Sequence, residues 1–132
     1  MKKLLSTLSI LAISVSASSS AMAFTKKVEK RYEYKNIEEL VAKFNETYQK
    51  ANEAQKNNKL GDSLIAGVDL VKISYEIWKI DTNHKLSVSK IDCLGILIHL
   101  ESTITKEKNF VSIYGYKALN YLIQTIIEFS SN

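Results

Sequence analysis

The chain has 132 residues, 45% of them hydrophobic and 24% charged, with a formal net charge of +4 at pH 7, one cysteine and no proline. That length holds one hydrophobic core and excludes an assembly of several domains, since domains usually run about 100 to 150 residues. A lone cysteine excludes an internal disulfide, so the fold must stand on packing alone.

Residues 1–23 read as a secretory signal peptide. Lys2 and Lys3 precede an apolar, serine-dotted run from Leu4 to Val15, and Ala21-Met22-Ala23 offers a small-residue cleavage pattern. The run is too short for a bilayer span, which takes about 20 apolar residues, so no integral membrane span is expected. The pattern is that of a bacterial export signal. The mature chain is therefore expected to begin at Phe24 and to be periplasmic or secreted.

The positive charge is local. Residues 24–35 form a basic N-terminal arm in which Lys26, Lys27, Lys30, Arg31 and Lys35 oppose only Glu29 and Glu33. Residues 36–132 are nearly neutral. A nucleic-acid binder carries a basic face or stripe across its domain, so nucleic acid is not an expected partner.

Residues 36–132 are expected to form an all-α, antiparallel four-helix bundle, with helices at about 36–55, 62–80, 88–104 and 110–129. Asn36 with Glu39 makes a capping-box start, and Ile37, Leu40, Val41, Phe44, Tyr48, Ala51 and Ala54 follow at steps of three and four. In the second helix, capped by Asp62 or Ser63, one apolar row runs Leu64, Val68, Val71, Tyr75, Trp78. A second runs Ile65, Ile73, Ile77, Ile80. An apolar face this wide predicts a helix held between neighbours.

After a polar loop at Asp81–Lys85, Ser87 or Ser89 caps a third helix. Its residues Val88, Ile91, Leu94 and Ile98 form one row, with Cys93, Ile96, Leu97, Leu100 and Ile104 around the remainder. It is expected to be the most buried element, with Leu94 central and Gly95 the point where a neighbouring helix approaches. The fourth helix, capped by Asn109, carries Val111, Tyr114, Ala118, Leu119, Leu122, Ile123, Ile126, Ile127 and Phe129. Loops of about five residues make successive helices neighbours.

Catalytic and metal-binding parts are scarce. Both methionines fall within residues 1–23, no Cys-x-x-Cys-His or Glu-x-x-His occurs, and phosphate loops and hydrolase motifs are absent. Cys93 and His99 are six residues apart, which turns them toward different sides of one helix. His84 falls in a loop, away from the interior. Asp92, next to Cys93, would raise a thiol pKa. No enzyme, no cofactor and no metal site is expected.

Tyrosine is the remaining signal, because such rings suit surfaces that are apolar at one end and wet at the other. Tyr114 fits the core row, so Tyr116 must point elsewhere. Tyr116, Tyr32 and Tyr34 are the candidate partner-binding residues.

These features lead to the expectation of a non-catalytic protein that binds another protein in the bacterial envelope. In organisation it is similar to exported immunity or inhibitor proteins. The alternative is a bundle that holds a small apolar ligand or haem-like cofactor between helices two to four, with His99 and Cys93 at the pocket. Surplus apolar surface on those helices also raises the expectation of a homodimer.

Overall fold

A computed structural model describes residues 36–131, and all the regular structure among them is helical. The expected signal peptide and basic arm, with Tyr32 and Tyr34, lie outside the described residues. The helices are α1 (Ile37–Lys56), α2 (Leu60–Ile80), α3 (Lys90–Thr105), α4 (Phe110–Tyr114) and α5 (Tyr116–Ser130). No described helix is long and apolar enough to cross a membrane.

α1 begins as its sequence requires, with the Asn36 side-chain oxygen accepting the Glu39 N–H at 2.8 Å and Glu38 and Glu39 at the positive end of the helix dipole. Ile37, Leu40, Val41, Phe44, Ala51 and Ala54 are buried along one stripe, mainly against α2. The turn between them closes through Asn58 in the left-handed region, at φ 58°, with the Lys59 N–H reaching back to the Ala54 carbonyl at 2.7 Å. Because that turn needs only a few residues, α2 starts at Leu60 with Lys59 before it. Asp62 and Ser63 lie inside the helix and do not cap it.

α2 is the element the others share. Leu64, Val68, Leu70, Val71 and Ile77 are essentially inaccessible, and α1, α3, α4 and α5 all pack against it. Burying one such side chain contributes about 1.5–3 kcal/mol. The buried residues of α2 are thus shared among four neighbouring helices.

Residues 81–89 are folded onto α2 as well. The Asn83 N–H is held by the Asp81 carboxylate at 3.0 Å, the Leu86 N–H by His84 Nδ1 at 3.0 Å, and the Val88 N–H by the Ser74 carbonyl at 3.3 Å. Leu86 is buried in the core. Ser89, of the two serines considered, caps α3 by accepting the Asp92 N–H at 3.2 Å.

Two expectations about the second half fail. First, α3 is not the most buried element. Cys93, Leu97, Leu100 and Ile104 face the core, but Ile91 and Ile98 are exposed, Leu94 is only half-buried, and a Cβ on Gly95 would meet no atom within 4 Å. A helix apolar on most sides can bury only the arc its neighbours cover, and α2 and α5 cover one side.

Second, the fourth helix is divided. Gly115, at φ 86°, breaks the run into α4 and α5, giving five helices among the described residues where four were expected. Asn109 precedes α4 in the left-handed region and makes no side-chain cap bond. The break lets Tyr114 turn into the core while Tyr116 points to solvent.

The divided segment sits tightly on α2. A Cβ on Gly61 would collide with the Tyr114 carbonyl oxygen, a backbone atom that cannot swing aside. Gly61→Ala is therefore expected to destabilise the fold by about 1–3 kcal/mol, read from urea unfolding. No loss of stability would mean that α4 and α2 do not approach this closely.

His84 supplies a second test. It is partly buried, with no hydrogen-bond partner for Nε2 among the described residues, unlike the outlying loop residue expected from sequence. Burial lowers its pKa below 6.5, outweighing the opposing field of Asp81. Protonation would also have to occupy Nδ1, the acceptor of the Leu86 N–H. The unfolded chain thus takes up the proton first as pH falls, so stability present above about pH 6.5 is lost progressively below it. Unfolding at pH 7.5 and pH 5 should show a larger acid loss for the wild type than for His84→Gln.

Candidate functional site: the outer face of α3 and α5

Five large apolar side chains stand out of the described surface, and all five lie on α3 and α5. Exposure is 80% for Ile91 and 48% for Ile98 on α3, and 72% for Tyr116, 45% for Ile123 and 52% for Ile127 on α5. Isolated exposed apolar residues are ordinary, but their concentration on two mutually packed helices makes those helices the candidate interaction surface. On α5, Tyr116, Ile123 and Ile127 recur at steps of seven and four, so they form one ridge.

The opposite flank of α5 is fixed by a polar cluster. The Tyr121 hydroxyl donates to Asp69 Oδ1, and Lys72 Nζ, 4.9 Å from the Tyr121 ring centre, donates to the same hydroxyl at 3.3 Å. Lys72 also lies 4.0 Å from Glu128. Burial pushes the Tyr121 phenol well above its usual range, and the hydrogen bond it donates to Asp69 adds to the effect. These bonds join α2 to α5 and orient the outward ridge. The phenol is held as a donor and is no candidate base.

An aromatic group extends this flank. Tyr75 stacks with Trp78 at 5.9 Å between ring centres and meets Phe129 edge-on at 5.2 Å. Beside it a notch of about 180 Å³ is lined by Lys72, Tyr75, Glu76, Lys90, Glu128 and Phe129. Lys90 opens α3 and Glu128 and Phe129 lie in the last turn of α5, so the start of α3 stands by the end of α5. A larger groove of about 550 Å³ lies between α1 and α2, among Lys43, Lys50, Glu53, Asp62 and Asp69.

Neither cavity includes Cys93 or His99. Cys93 is fully buried, with its thiol near the Val71 and Val88 carbonyls at 3.7 and 3.5 Å, whereas His99 lies on the exposed side of α3. The structure does not bring them together. Burial pushes the Cys93 thiol up to about 12, and the neighbouring Asp92 carboxylate adds to that shift. A thiol so protonated is a poor nucleophile and a poor metal ligand. Among the described residues, no three His, Cys, Asp or Glu side chains converge as a metal site would require.

Sequence spacing separated Tyr116 from Tyr114 correctly. It missed Ile91, Ile98, Ile123 and Ile127, whose residue type signals a core. The few polar residues on the outer side of α3, Asp92, His99 and Ser102, mark it only weakly, and the isoleucines among them carry no sign of exposure in their residue type. For Cys93, modification by a thiol reagent should be slow in the native protein and follow global unfolding in urea; rapid native-state labelling would contradict its burial.

No protein-family model matches the chain, and no characterised protein or solved structure is significantly similar to it. The functional reading therefore rests on this surface and on the sequence.

Proposed function

We propose that this chain is a small exported, non-catalytic helical protein that works by binding protein through the outer apolar face of α3 and α5. The observation that carries this reading is the confinement of all five exposed large apolar side chains to those two helices. Protein interfaces combine such a patch with aromatic anchors, and Tyr116 stands at one end of it. An antiparallel bundle in which α4 and α5 together form a broken fourth rod would present this face on a rigid support.

Residues 1–23 support export to the periplasm or beyond, and a compact domain with few catalytic parts fits the role of an envelope inhibitor or immunity protein. Cys93 is buried with its thiol held protonated, which removes the single cysteine as a nucleophile. Binding by this face needs no chemistry beyond exclusion of water from the isoleucines, at about 25 cal/mol for each Å² buried.

Capture experiments from the envelope test the reading. The tagged, exported wild type should retain a specific protein, and Tyr116→Ala or Ile127→Asp should abolish capture without changing the helical circular dichroism. Capture that survives both substitutions would remove the face from the function. N-terminal sequencing of the exported protein should begin Phe24-Thr25-Lys26, and a start at Met1 would overturn the export argument.

A further inference from the structure

The outward side of α3 has a pattern that complements itself. Ile91 and Ile98 are exposed apolar projections seven residues apart, and Gly95 and Ser102 are small residues with the same separation on the same side. The space over Gly95 is open, since a Cβ there would meet nothing within 4 Å. At about 100° per residue, these four positions fall within one narrow arc of the helix.

We propose that this arc is covered by a second copy of the same chain, its α3 antiparallel and related by a two-fold axis passing beside the helix between positions 96 and 97. Two positions equally far on either side of that axis come face to face. Ile98 then seats over the partner's Gly95, and Ile91 over the partner's Ser102. The reciprocal contacts follow from the symmetry, as an isologous interface demands. One register thus places every projection of the arc opposite a small residue.

The charges agree with this register. The arc itself carries none, so the two-fold brings no like charges together at its centre. Asp92 and His99 are both exposed on one flank of α3. A two-fold perpendicular to the helix keeps that flank on the same side in both copies. It places Asp92 within about 3 Å, measured along the axis, of the partner's His99, while the two Asp92 residues stay about 13 Å apart. The imidazole can donate an N–H to the carboxylate across the interface, twice in the dimer.

This inference rests on the reading of the face as a protein-binding surface and names its occupant. Disulfide trapping reads the register directly. In Ile91→Cys/Ser102→Cys, the two new thiols are about 16 Å apart within one helix but opposed between copies. The purified double variant should therefore form a covalent dimer on oxidation, as should a mixture of the two single variants. Each single variant alone should stay uncrosslinked, because its thiol meets its own copy about 16 Å away. The buried Cys93 can stay in place without competing.

Sedimentation of the wild type at tens of micromolar should give a dimer. Ile98→Asp, an exposed position, should keep its helical spectrum and weaken self-association by at least about 100-fold, since each copy then buries a charge. A monomeric wild type, or crosslinking by the single variants equal to that of the double variant, overturns the dimer. If the wild type is monomeric yet captures an envelope protein in a manner lost with Ile127→Asp, the second-copy proposal fails and the binding face stands.

Discussion

Burial of α2 on several sides at once is the constraint on which the remaining structure depends. A 21-residue helix with two apolar rows cannot satisfy both against one neighbour, so α1 covers one side while α3, α4 and α5 gather on the other. Without a disulfide, the shared helix is what joins the two layers. The linker at 81–89 follows the same logic, because the buried Leu86 and the bond from the Val88 N–H to the Ser74 carbonyl hold it against the core and α2 instead of letting it cross free space.

Local chemistry then sets how the pieces meet. Gly61 permits the backbone of α4 to lie on the start of α2, and Gly115 adopts the positive φ that turns α5 away from α4. The Asp69–Tyr121 bond, with Lys72 and Glu128 beside it, fixes the rotation of α5 about its axis. Once that rotation is fixed, Leu122 and Phe129 face inward and Ile123 and Ile127 are left outside. The exposed ridge is thus a consequence of where the part-buried polar bonds and the core residues must go.

Chemistry-bearing side chains follow the same division. Cys93 is packed, protonated and out of reach, while His99 sits on the outer side of its helix. Their separation follows from six residues of α-helical rotation and needs no tertiary information. The exposure of His99 needs the neighbours to be in place. What the isoleucine, glycine and serine of the outer arc of α3 offer is shape, which a partner of complementary form can use.

The all-helical character of residues 36–131, the start of α1, a serine cap before α3 at 87 or 89, and the opposed directions of Tyr114 and Tyr116 were legible in the sequence, because capping and three-to-four spacing are local properties. The core role of α2 was legible for the same reason, since two adjacent apolar rows require two sets of neighbours. Which side of α3 would be buried was not, for apolar residues fall on most sides of this helix and its few polar ones give it only a weak preferred direction. Only the packing of α2 and α5 against it decided that Leu97 would be inside and Ile91 outside. The break at Gly115 was likewise open, because glycine is tolerated within a helix and becomes a hinge only when tertiary contacts hold its φ positive. Sequence alone determined what could be buried, and tertiary structure decided how much of it was.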